Sequence, residues 1–358
     1  MFHSAMLEAP SADAAIEALH RAGHTDGLPV VLPTAERVEA MLLHGGLDGD
    51  LVIGTVDPAG GALTVEKAAI NAVMAGCPPE AFPILLAACA ALVDPRLDLG
   101  AMQATTHCIT PLIIVNGPAR SLHGVACEAG AMGPGHRVNA GVGRAIRLIM
   151  INIGGGRPGV GDMATLGTPA KFACCLGEAE EASPFPPLHV ALGHAGRDSV
   201  VTMLGVEGPH SLMFAVQDAG RDGDAFLRTL AAGLANPASN NIYLGGTVAV
   251  ALNPMHANML ARSGFTRETA QQRLFELAAV PRDQLHRIAA ANVALAPPDT
   301  ELFRPVRRPE DILLFTSGAD GGAYSAYFPS WGGGPNGNVA VTKTVRIDEG
   351  CELPASRR

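Results

Sequence analysis

Apolar and polar positions along the chain set out an alternation of helical and extended segments. Stretches 11–22 and 34–44 carry apolar residues at the spacing of an amphipathic helix, the second opened by Pro33-Thr34. Between them "TDGLPVVLPT" is extended and rich in turn residues. "LVIGTV" (51–56) and "ALTV" (62–65) read as strands joined by the turn Asp57-Pro58-Ala59-Gly60-Gly61. A helix over 66–75 stops at Gly76, the residue type that tolerates a left-handed C-terminal position. A second helix covers 79–93, with Pro83 expected to disturb its first turn. "PLIIVNG" (111–117) is a short buried strand, and 137–152 is a helix with apolar residues all round.

The alternation continues with strands near 199–206, 246–252 and 311–316 and helices near 223–235, 255–263, 267–279 and 283–292. A glycine-rich loop over 317–338 precedes a final strand, "VAVTKTVRI" (339–347). Strands that alternate with helices define the α/β class. Sliding 69–92 onto 257–280 places Ala69, Gly76, Glu80, Leu86, Ala90 and Ala91 on Ala257, Gly264, Glu268, Leu274, Ala278 and Ala279. An apolar strand ending in a polar-glycine turn follows each copy, "LIIVNG" and "LLFTSG". One reading is a duplicated helix-helix-strand unit, giving two pseudo-symmetric α/β halves (1–155 and 196–358), a junction (156–195) and a site between them. The other is shared helical patterning in alanine-rich segments.

Composition narrows the partners. Of 358 residues, 48% are hydrophobic and 16% charged, which suits a compact core and leads us to expect a homo-oligomer that buries further surface. The net charge of −9 and the lack of any Lys/Arg run argue against nucleic acid. No stretch reaches the roughly 18 apolar residues of a membrane span. The first 24 residues include acidic side chains and lack a basic segment followed by an apolar one, so they do not read as a signal peptide. The expected compartment is the cytoplasm, where the seven cysteines would be reduced thiols.

Cys77 draws attention in "AVMAGCPPEAFP" (72–83), one residue outside an expected helix start at Pro78-Pro79. A thiol there feels the positive helix end, which lowers its pKa and favours a nucleophile or redox thiol. The competing reading is a small apolar residue filling the place that Phe265 fills in the other copy. "VEKAAINAVMAGC" sets Lys67 and Asn71 one helical turn apart, on a face opposite Ile70, Val73 and Met74. That polar stripe either binds a substrate carboxylate or lies in solvent.

His107 and Cys108 are adjacent, and His123 and Cys127 stand at i, i+4 spacing. Such ligands suit zinc or iron, although the spacing matches no standard zinc pattern, and satisfied core or loop histidines are the alternative. "GAMGPGHR" (130–137) leads into the helix carrying Arg144 and Arg147, and "NIGGGRPGVGD" (152–162) follows it. Glycine-rich backbone with Arg137, Asn139 and Arg157 can receive an anion, or simply end the helix. Neither stretch is a dinucleotide fingerprint. Glu178, Glu180 and Glu181 form a cation or acid/base set, or a solvated helix end. His210 lies in a loop after a strand. Ser317, Asp320, Tyr324 and Ser325 are donors on a glycine-rich loop suited to closing over a substrate or cradling an anion.

Four stretches, "TDGLPVVLPTAERVEAML", "IGTVDPAGGALTVEKAAINAVMAGCPPEAFPILLAA", "LNPMHANMLARSGFTRETAQQRL" and "SGADGGAYSAYFPSWG", together resemble a widespread bacterial family of largely uncharacterised proteins. Its members are associated with small (seleno)proteins named for a Sec-Gly-Ser-Cys motif (UGSC-like). The resemblance spans about residues 24 to 345 and implies a partner subunit and thiol or selenol chemistry. Glu66, Lys67, Asn71 and Cys77 fall in its pattern without assigned roles, and the C-terminal loop here is longer and richer in glycine.

Three functions follow as expectations. The first is a cytoplasmic enzyme acting on a small anionic metabolite through Cys77. In it Lys67, Asn71, Asn139, Arg157, Ser317 and Tyr324 bind substrate, and His107 or His210 exchanges protons; lyase, hydrolase and reductase steps all remain open. The second is a metal-dependent lyase or hydratase using His107, Cys108, His123 and Cys127. The third is a non-catalytic subunit of a thiol or selenol redox complex.

Overall fold

A computed structural model describes residues 2–216, 222–334 and 337–346. Helices α1 (Ala12–Arg21) and α2 (Ala35–Gly45) precede the hairpin β1 (Val52–Val56) and β2 (Gly61–Thr64). Then come α3 (Val65–Met74), α4 (Phe82–Leu92), α5 (Leu99–Ala104), β3 (Thr110–Asn116), α6 (Ala119–Leu122), α7 (Arg137–Asn152), β4 (Cys175–Gly177) and α8 (Leu188–Ala191). The chain continues through β5 (Val200–Val206), β6 (His210–Met213), α9 (Gly223–Leu234), α10 (Asn241–Leu244), β7 (Val248–Leu252), α11 (Pro254–Arg262) and α12 (Arg267–Leu277). It ends with β8 (Val280–Pro281), α13 (Arg282–Val293), β9 (Leu302–Phe303), β10 (Ile312–Thr316), β11 (Tyr324–Phe328) and β12 (Val341–Thr344).

Local chemistry sets the helix starts. Ser11, Thr64 and Asn253 each accept a backbone N–H of the helix they open, replacing a partner the first turn lacks. Past Gly76, which adopts a φ of 73°, a single 3-10 turn at Pro79–Ala81 intervenes before α4. The helix then begins at Phe82, so Pro83 sits in its first turn, where a missing N–H costs nothing.

The class is α/β, with helices and mixed sheets. Two four-stranded sheets form, in the orders β4-β3-β5-β12 and β10-β7-β11-β6. In each, the first two strands are parallel, the third runs against them, and the fourth runs against the third. The fourth strands are exchanged along the chain: β6 follows β5 but pairs with β11, while β12 follows β11 but pairs with β5. Leu112, Ile114, Leu204 and Val206 of one sheet meet Ala249, Ala251, Leu313 and Phe315 of the other in one core. The outer face of the first sheet (Ile113, Val115, Val201, Met203) packs with residues of α3, α4 and α7. The outer face of the second (Val248, Val250, Leu314) packs with α9, α11 and α12. β3, β5, β7 and β10 are therefore buried on both faces, which is why they read as unbroken apolar runs.

Two boundaries differ from expectation. The split at 156–195 does not follow the sheets, because β5 and β12 lie beyond it yet pair within the sheet of β3. The segment 317–338, read as a loop, contains β11: "YSAYF" has strand alternation, but glycines on both sides mask it. Residues 335–336 of that segment, and Ile347 at the end of the expected last strand, lie outside the described residues. Among the described residues no helix is long and apolar enough to cross a membrane.

Candidate functional site: a cation-lined cavity at the end of the longest helix

α7 carries Arg147 on its buried side and ends in the glycine turn that the sequence marked. A Cβ at Gly161 would run into the backbone carbonyl of Gly155, so the chain folds back here only with glycine at that position. The fold-back brings Asp162 and then Lys171, at the end of a 3-10 turn (Pro169–Lys171), against α7.

Lys171 Nζ lies 2.6 Å from both oxygens of Asp162, and Arg147 Nη1 lies 3.3 Å from Oδ2. Arg147 Nε donates to Lys171 O at 2.8 Å, while its Nη2 is buried and has no partner among the described residues. On the opposite wall Arg157 Nη2 donates to Ala22 O at 3.1 Å, and its guanidinium rests against Gly23. Asp26 is held by Arg144 at 2.8 and 2.9 Å. Arg147, Arg157, Lys171, Asp26 and Asp162, together with Thr25, Gly27, Ile151 and Phe172, line a cavity of about 400 Å³. Three cations, Arg147, Arg157 and Lys171, thus stand in its wall beside two carboxylates, Asp26 and Asp162, both already engaged. Burial lowers the pKa of Arg147, and it lowers that of Lys171 against the pull of Asp162. A hydrogen-bonding anion would supply the missing partner of Arg147 and balance the excess charge.

Arg157 is the member of this site that the sequence reading named. Asp162 and Lys171 were missed, since a lone Asp and a lone Lys nine residues apart form no motif. Arg147 carried one signal, a cation within an otherwise apolar helix.

The other predicted residues fall elsewhere. Cys77 is 3% exposed, its Cα and Cβ pack where Gly141 leaves room on α7, and burial pushes its thiol up to about 12. The expected lowering by a helix end is therefore overturned: a 3-10 turn follows Cys77, and desolvation dominates. The thiol lines none of the three cavities described here.

His107 and His210 do come together. Their Nε2 atoms lie 2.9 and 3.0 Å from the two oxygens of Glu207. Burial raises the pKa of that carboxyl, but the hydrogen bonds from both histidines outweigh it and hold it at about 2.

The expected metal cluster does not assemble. His123 follows the four-residue α6 and Cys127 lies in a loop, so no helix puts them on one face. His107 is taken by Glu207, and Cys127 Sγ lies 3.7 Å from Arg120 Nη1. Cys108 is half-buried. Among the described residues no three His, Cys, Asp or Glu side chains are placed to hold a metal ion. Of the three glutamates Glu181 alone is exposed to solvent. Glu178 is fully buried and accepts from Leu188 N at 2.7 Å, and Arg120 pairs with Glu180 and Glu181.

Ser317 and Tyr324 line a second cavity, of about 390 Å³, between the glycine loops 130–133 and 318–322. Ser317 Oγ lies 3.0 Å from both Cys127 O and Gly177 O, and Tyr324 is exposed. Asn139 braces the first loop through Ala126 and Ala131. In the same cavity wall, Ser325 Oγ is 2.7 Å from His256 Nδ1 and accepts from Asn253 N. His256 Nε2 faces the carbonyl of Phe214, which can only accept, so Nδ1 accepts the hydrogen bond of the serine hydroxyl; Asn253 caps α11 beside this pair. Lys67 and Asn71 line a third cavity, beneath the N-terminal residues.

No family model, curated protein or solved structure matches this chain.

Proposed function

We propose that the protein is an enzyme that binds a small organic anion, a carboxylate or phosphate, between Arg147, Arg157 and Lys171. Lys171 serves as its proton donor. The observation that carries this reading is Arg147, a buried arginine whose Nη2 has no hydrogen-bond partner among the described residues, in the lining of a cavity where three cations meet two carboxylates. Arg147 and Arg157 hold the anion, and Asp162 fixes Lys171 in place. A buried ammonium releases its proton more readily than one in water, so Lys171 can protonate a carbanion or leaving oxygen and retake the proton on the return step. Such proton movement belongs to lyase-type chemistry on carboxylic acids.

The reading extends to a cytoplasmic homo-oligomer, supported by the low charge content and by six free cysteines among the described residues. The resemblance to the family associated with UGSC-like (seleno)proteins adds a redox partner protein to it. A duplicated chain with exchanged fourth strands is also part of the proposal, supported by the shared strand order. That order equates β3 with β7, whereas the sequence repeat would equate β3 with β10.

The test is calorimetric titration with malonate, succinate, malate and phosphate at constant ionic strength, followed by NMR of the carboxylic acids in deuterium oxide. We expect saturable binding that Arg147→Met weakens at least tenfold, and exchange of protons alpha to the carboxylate that Lys171→Met abolishes. Binding indifferent to Arg147→Met would sink the anion site. Binding without exchange would remove the enzymatic part and favour the non-catalytic subunit.

A further inference from the structure

A cavity of about 480 Å³ lies beneath the N-terminal residues and is separate from the anion site. Its walls are apolar: Phe2, Leu19, Leu32, Val38, Ile70 and Met74 contribute from the N-terminal segment, α1, α2 and α3. Volumes of ~300–1,000 Å³ with a few polar groups on an apolar lining are the range of small-molecule sites.

One charged group in this lining is free to meet a ligand. Glu66, the one carboxylate there, accepts from His3 N at 2.9 Å and Ser4 N at 2.8 Å, which pins the N-terminal strap over the cavity. Lys67, the one Lys or Arg there, donates to Ala62 O at 2.8 Å and makes no ion pair with any described residue. An ammonium has three donors, so two are left. Asn71 and Asn152 are joined at 2.8 Å, and Asn152 Oδ1 lies 3.2 Å from His24 Nδ1, closing the polar end of the cavity.

We propose that this cavity binds a medium-chain monocarboxylic acid, with its carboxylate on Lys67 and its alkyl or aryl body along Ile70, Met74 and Val38. A single unpaired cation fits one carboxylate and no more. The apolar walls favour a hydrocarbon body over the small polar anions assigned to the Arg147 site, which makes the two sites chemically separable.

The experiment is calorimetric titration with octanoate, 1-octanol and succinate on the full chain and its Lys67→Met, Ile70→Trp and Arg147→Met variants. We expect octanoate to bind at one site, Lys67→Met to weaken octanoate at least tenfold while leaving 1-octanol unchanged, and Arg147→Met to leave octanoate unchanged. Filling the cavity in Ile70→Trp should weaken both eight-carbon probes. Should that variant fail to fold, the octanoate and octanol comparison on Lys67→Met decides alone. Equal affinity for octanoate and octanol, no octanoate binding, or full octanoate binding by Lys67→Met would each overturn the proposal. Loss of succinate binding in Arg147→Met with octanoate retained keeps this outcome apart from that of the anion site.

Discussion

Lys171 and Asp162 meet with the ammonium 2.6 Å from both carboxylate oxygens, in a place where burial works against the ammonium. The same carboxylate also receives Arg147 at 3.3 Å. One acid therefore serves two cations, the buried Arg147 and the half-buried Lys171.

Asp162→Asn removes that shared counter-charge. Breaking a buried pair by deleting one partner leaves an uncompensated charge and typically costs about 3–5 kcal/mol. We expect a loss of that order in urea unfolding, partly restored by added phosphate, because an anion in the cavity replaces the missing charge. A variant as stable as wild type, or one that phosphate does not rescue, would show that Asp162 does not organise the site.

The core between the sheets should be costly to open. Leu204 is fully buried and pairs in register with Leu112 across β5 and β3. Leu204→Ala is expected to lose about 2–5 kcal/mol by chemical denaturation, since transfer and cavity terms add. A loss below about 1 kcal/mol would mean that the two sheets do not close on this residue.

Much of the fold was legible because burial on both faces leaves an unbroken apolar signature, as in "PLIIVNG" and the strand ending at Val206. β4 escaped because three residues carry too little pattern, and β11 because glycines surround it. The sites divide in the same way. Lys67 and Asn71 do line one cavity, as helical spacing places them. Ile70 and Met74, expected on the opposite face, line it too, because i+3 and i+7 neighbours share a face. The glycines after α7 mark the chain reversal on which Asp162 and Lys171 depend, but no local pattern says what the reversal brings them against. His107 and His210 meet only through Glu207, an ordinary acid in the sequence.

Cys77 is expected to be chemically quiet. With burial pushing its thiol up to about 12, the thiolate fraction at neutral pH is very small. Among the six described cysteines, iodoacetamide mapped by mass spectrometry should mark the half-buried Cys108 and Cys127 first, and reach Cys77, Cys89, Cys174 and Cys175 only on unfolding. Cys77→Ala should leave anion binding intact. Rapid labelling of Cys77 below pH 7 would restore it as a nucleophile and displace the Arg147 cavity from the centre of the function.

Glu207 gives a pH dependence with a definite sign. Its carboxyl ordinarily titrates near 4.5 and is held at about 2 in the fold. A depressed carboxylate contributes stability that is fully present above the unfolded value and is lost as pH falls toward the folded one. The loss should therefore fall between pH 4.5 and about 2. For a half-buried group, screening reduces the contribution to about 1–2 kcal/mol. The double variant His107→Ala/His210→Ala removes both donors, so its stability should change less with pH across that window than wild type does. Parallel acid-unfolding curves for the two proteins would mean that the histidines do not hold the carboxylate. A steeper acid loss in wild type alone would establish the coupling of β6 to the loop before β3 through a single side chain.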